Sequence, residues 1–92
     1  MQSTGRVYRH YKGQYYRVVG HAHDSESGQR LVVYQQLYAS DKPLGYVWAR
    51  PADIFHSDAP ARAPIGACWR RFRYVKRVPR AVQRVMAQLD RE

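Results

Sequence analysis

The sequence predicts a mainly β protein, a small and strongly bent antiparallel barrel completed by a C-terminal amphipathic helix. Three observations carry this. Before residue 56, short runs rich in Tyr, Val and Trp alternate with turn residues. The connections between those runs are too short for crossover helices, so neighbouring strands must be antiparallel. From Pro79 the apolar period lengthens from strand-like to helical.

The stretch 7–18, "VYRHYKGQYYRV", reads as a hairpin in which Lys12-Gly13-Gln14 turns the chain, glycine being the residue best able to take positive φ. Strand alternation in "YYRVVGHAH" places Tyr16, Val18 and Ala22 on one side and Tyr15, Arg17, Val19, His21 and His23 on the other. Gly20 in its middle marks a bend or bulge. The polar "DSESG" supplies the next turn, "RLVVYQQLY" a third strand, and "YVWAR" a fourth that Pro51 stops. Pro51 then suits a single helical turn over "PADIF", folding Ile54 and Phe55 back onto the core. A flat sheet would leave too much aromatic surface wet, which favours the bent barrel.

Residues 57–68, "SDAPARAPIGAC", have no usable period and read as a connecting loop. "WRRFRYV" can form a fifth strand. In the final segment Val82, Val85, Met86 and Leu89 recur at helical spacing, while Arg80, Arg84, Gln88 and Arg91 form a separate stripe. Residues 5–56 are thus the barrel core, 57–68 the loop, and 69–92 a basic strand and helix that complete a single domain. The expected core is Tyr16, Val18, Val33, Leu37 and Phe55.

With 92 residues, the chain can bury about 60% of its unfolded surface, so a large catalytic cleft is not expected. The lone Cys68 excludes an internal disulfide and a cysteine-rich zinc site. No apolar run nears the ~20 residues of a membrane span, and the N-terminus lacks an apolar targeting segment. A cytoplasmic protein is expected. The net charge of +9 is unevenly spread: residues 1–61 hold seven Lys/Arg against five Asp/Glu, residues 62–92 nine against two. Arg70, Arg71, Arg73, Lys76, Arg77, Arg80 and Arg84 form a run without an acid. Such a run attracts polyanions, most often nucleic acid and sometimes an acidic protein partner or anionic lipid, the alternative being a solvated face that aids solubility.

Read together, "GRVYRHYKGQYYRV", "AH", "VVYQQLY" and "WARPADIF" resemble the bacterial family known as domain of unknown function 1653. The matching positions are Gly5, Tyr8, His10, Tyr11, Lys12, Gly13, Tyr16 and Val18, then Ala22, His23, Glu26, Val32, Tyr34, Leu37, Tyr38, Trp48, Arg50, Pro51 and Phe55. The resemblance covers about residues 5–55, with a turn after His23 that is longer than the usual family form. It implies an SH3-like barrel and no established activity. Neither a cofactor nor a metal is expected.

Three constellations carry candidate chemistry. His10, His21 and His23 have the residue type of a metal site but no carboxylate partner, so hairpin-anchoring histidines are the favoured reading. His23 with Glu26, or Cys68 with a histidine, lacks the paired nucleophile and base of an enzyme, and none is expected. Tyr8, Tyr34, Tyr38, Tyr46 and Trp48 suggest an aromatic groove on a binding module. Tyr8, His10, Lys12, His23, Tyr38, Trp48 and Arg50 are its ligand-binding candidates, because they mix rings with donors. Arg50 has a structural reading as well, bonding carbonyls or Glu26 to lock the helical turn.

Overall fold

The computed structural model describes residues 5–59 and 70–91. Its longest strands, β2 (Tyr15–His23) and β3 (Arg30–Gln36), form the spine of a single sheet. β1 (Val7–His10) pairs with β2, β4 (Val47–Pro51) with β3, and β5 (Phe72–Tyr74) with the free side of β1. All neighbours are antiparallel, in the order β4-β3-β2-β1-β5. α1 (Ala52–Phe55) follows β4 directly, and α2 (Arg80–Asp90) follows β5.

The expected barrel is not closed. β4 and β5 are the two edges of the ladder, and in a flat five-stranded sheet they would lie about 19 Å apart. Yet the Arg50 guanidinium on β4 sits 5.5 Å from the centre of the Phe72 ring on β5. The sheet therefore curls until its edges face. No ladder joins β4 to β5, and side chains span the seam between them. An isolated bridge between Asp58 and Arg70, with the Arg71 N–H bonded to the Ser57 carbonyl at 2.9 Å, ties the chain after α1 to the chain entering β5. Phe55, fully buried, fills the seam by stacking on Phe72 at 4.2 Å and meeting Tyr8 and Tyr34 at 5.2 and 5.4 Å.

The register of β2 against β3 changes between Val18 and Gly20, which pair with Tyr34 and Val33. Val19 is the extra residue of a β-bulge, as the glycine suggested, and a bulge adds twist of the kind the curl needs. It also reverses the phase of the strand beyond it. His21 pairs with Val32 and His23 with Arg30, so both histidines share the face of Val18 and Tyr34. The uninterrupted alternation that put them on the opposite face is corrected here.

The two faces have separate cores. Val18, Val32, Tyr34, Phe55 and Phe72 pack on the concave face. Val7, Leu37 and Val82 pack on the other, where Val85, Met86 and Leu89 of α2 dock as the helical stripe required. Four of the five expected core residues are buried, and Tyr16 is partly buried against the concave core.

α1 is too short to be stable alone and is held by its surroundings. The Asp53 carboxylate accepts from the Ile54 N–H at 2.9 Å, and the Ser57 hydroxyl donates to the Ile54 carbonyl at 2.6 Å. The end of α2 is fixed by Arg17, a buried guanidinium that grips Asp90 through two nitrogens at 2.7 and 3.2 Å and donates to Gln35 at 2.8 Å. Gly45 passes under this end in the left-handed region (φ 86°), where a Cβ would lie 2.8 Å from the Leu89 side chain. No helix among the described residues is long and apolar enough to cross a membrane. Cys68, Trp69 and most of the expected connecting loop lie outside the described residues.

Candidate binding clefts

An aromatic cleft of about 220 Å³ opens on the concave face, between β2, β3, β4 and the chain after β3. Its walls are Tyr16, Tyr34 and Tyr38 on one side and Trp48 and Arg50 on the other, with Ser40 and Asp41 at the rim. The organising residue is Gln36, an amide only 2% exposed. Its oxygen accepts from the Trp48 indole N–H at 2.9 Å, and its nitrogen donates to the Tyr38 carbonyl at 3.1 Å. A buried amide with both ends satisfied fixes the rings around it, because any rotation would strand a polar group.

The Tyr16 and Tyr38 hydroxyls bond each other, and the rings meet edge to face at 5.4 Å. Burial, reinforced by that bond, raises the Tyr16 pKa, so the phenol stays protonated. Burial also raises the Tyr34 pKa, against the pull of the nearby Arg50 charge. At neutral pH the cleft thus offers the neutral hydroxyls of Tyr16 and Tyr34, one guanidinium and ring faces, with the Asp41 carboxylate at its rim.

His10 adjoins this cleft through ring contacts with Tyr16 at 6.3 Å and Phe72 at 5.0 Å. Its Nδ1 accepts from the Lys12 backbone N–H at 3.2 Å, which closes the hairpin turn. Burial, followed by the positive charges of Arg50, Lys12 and Arg71, pushes its pKa down to about 4. His10 is therefore a neutral ring at physiological pH.

The sequence candidates divide on this geometry. Tyr38, Trp48 and Arg50 line one cleft, and His10 borders it. Lys12 is exposed, with its ammonium 5.9 Å from the Tyr11 ring centre. Tyr8 packs elsewhere, against Phe55 and Tyr74. His23 is exposed at the far end of β2. Arg50 is anchored by the Phe72 ring, and among the described residues no ion pair joins it to Glu26. No group of three His, Cys, Asp or Glu among the described residues could hold a metal ion.

The basic run also divides. Arg70 donates to the His56 carbonyl at 3.0 Å and Arg71 to the Ser57 hydroxyl at 3.2 Å, so both tie β5 to the end of α1. Arg73, Lys76 and Arg77 instead line a second cleft of about 450 Å³ with Tyr15, Tyr74 and Val75. Tyr74 is 50% exposed. Arg9 lies over the Tyr15 ring at 5.4 Å, and Arg80 and Arg84 are exposed on α2.

The family model described as "Protein of unknown function (DUF1653)" matches residues 6–74. The chain belongs to the DUF1653 family. A crystal structure of a DUF1653 protein from Bordetella bronchiseptica is similar, with 34% identity over 79% of this chain and 87% of that one and a TM-score of 0.64. No curated protein matches this chain. Both clefts begin within the DUF1653 match, but Lys76, Arg77 and all of α2 lie beyond it.

Proposed function

We propose that this chain is a non-enzymatic binding module, its curled sheet an SH3-like barrel with one seam closed by rings, and that it takes nucleic acid across the basic cleft. The observation that carries this reading is the convergence of Arg73, Lys76 and Arg77 beside Tyr15, whose ring shares a sheet face with Arg73 and is overlain by Arg9 at 5.4 Å. Cations that track phosphates beside a ring on which a base can stack are the two parts of a single-strand site. The ring favours single strands over duplexes, whose bases are already stacked. Fluorescence-anisotropy titration with single- and double-stranded DNA and RNA at low salt tests it. Micromolar, salt-sensitive binding that prefers single strands supports the proposal, and no binding to any of the four removes it.

A second reading places the binding in the aromatic cleft, with a small ligand or a segment of an acidic protein as occupant. It is favoured by the Gln36 network, which holds Trp48 in place before any ligand arrives. The two readings separate by mutation. Charge reversal at Arg73 and Arg77 abolishes binding in the first and spares it in the second, whereas Trp48→Ala does the opposite.

A further inference from the structure

The bulge at Val19 turns His21 toward a third cleft, of about 480 Å³, at the other end of the concave face. Arg6, Tyr8, His21, Arg30 and His56 line it above Val32. These residues come from the segment before β1, from β1, β2 and β3, and from the end of α1, so the fold gathers them from five places in the chain. No carboxylate is among the lining residues, and no carboxylate pairs with Arg30 among the described residues. His56 is held through its backbone, its N–H bonded to the Ala52 carbonyl at 3.0 Å and its own carbonyl taken by Arg70. Its imidazole meets the Phe55 ring edge to face at 5.1 Å, and both residues line the cleft.

We infer that this cleft is a binding site for the phosphate group of a phosphate monoester, taken between Arg6, Arg30, His21 and His56. Two guanidiniums and two imidazoles arriving from separate elements suit a tetrahedral anion with several acceptor oxygens better than a planar carboxylate, which one bidentate arginine would satisfy. The volume lies in the range of small-molecule sites and exceeds what a bare anion fills. The remaining space, beside the Tyr8 ring, takes the organic part of the ester. A bulge beside a ligand site commonly re-aims a side chain, and His21 is the side chain re-aimed here. The site does not depend on the basic cleft, which is lined by other residues.

The test is a ¹H–¹⁵N NMR titration of the whole chain with four probes: ribose 5-phosphate, ribose, and one oligonucleotide with either a 5′-phosphate or a 5′-hydroxyl. Saturable shifts at Arg6, His21, Arg30 and His56 with ribose 5-phosphate but not ribose are expected. Arg30→Ala, at an exposed strand end, should weaken that response at least about tenfold, and His56→Ala provides an independent second variant. A response to the 5′-phosphorylated oligonucleotide but not to ribose 5-phosphate keeps the phosphate site and makes its source a nucleic-acid end. Equal response to the phosphorylated and hydroxyl oligonucleotides overturns the inference, as do shifts confined to β5 and α2, or an unchanged response in both variants.

Discussion

Removing the Phe55 ring is the most direct perturbation of how this fold closes. Phe55 is fully buried and touches rings from β1, β3 and β5 at 4.2 to 5.4 Å, filling a seam where no backbone ladder joins β4 to β5. Phe55→Ala should cost about 3–5 kcal/mol for lost transfer energy and the cavity left behind. A chain of 92 residues has roughly 5–14 kcal/mol of stability in all. The variant therefore loses a large fraction of it, and its melting temperature should drop by about 12 °C or more. Urea denaturation followed by far-ultraviolet circular dichroism gives the value, read as a lower midpoint at similar slope. Phe55→Leu should lose much less. In a double-mutant cycle with Phe72, the stacked pair should show a coupling of about 0.5–1.5 kcal/mol. A loss below about 1 kcal/mol for Phe55→Ala would mean that the seam is held some other way, and the reasoning would be wrong.

His10 should titrate near 4 in an NMR pH series. Because its folded pKa lies below its unfolded value of 6.5, the unfolded chain binds the proton first, so stability falls as pH drops from about 6.5 toward 4. His10→Asn should flatten that slope. Gln36→Leu strands the Trp48 indole N–H, and should broaden Trp48 resonances and destabilise the fold by about 1–3 kcal/mol. Unchanged Trp48 side-chain shifts would contradict the network. Asp90→Ala leaves the Arg17 guanidinium without its carboxylate, so amide exchange should accelerate in α2 and not in β2 or β3. Uniform exchange rates across wild type and variant would contradict the anchoring role.

Much of the fold was legible in local sequence because its signals are local. Gly13 turns the first hairpin with φ 107°, Gly20 marks the bulge, Pro51 ends β4, and Val82 to Leu89 carry the docking stripe. The illegible part depends on contacts distant in sequence. Closure without a ladder between β4 and β5 needs Phe55, Phe72 and Arg50 to meet across the seam, which no alternation pattern states. The bulge was visible, yet its consequence for His21 and His23 requires knowing which residue is extra. The basic run looked continuous, but the end of α1 captures Arg70 and Arg71 and leaves Arg73, Lys76 and Arg77 to the cleft. The aromatic cleft was half legible. Tyr38, Trp48 and Arg50 stood out as rings and donors, while Gln36 did not, although two glutamines inside "VVYQQLY" are an unusual break in an apolar strand. The Arg17–Asp90 pair spans 73 positions and had no sequence signal.

The central claim, that the basic cleft takes single-stranded nucleic acid, is tested most directly by the salt dependence of binding. If Arg73, Lys76 and Arg77, with Arg9 beside them, neutralise three or four phosphates, log K against log salt should have a slope of about −2 to −3. That corresponds to a roughly twenty- to fifty-fold loss of affinity between about 50 and 200 mM salt. Replacing Arg73, Lys76 and Arg77 by Gln should reduce the slope by about 2. Binding whose slope is unaffected by that triple change, or no binding at low salt, would contradict the account.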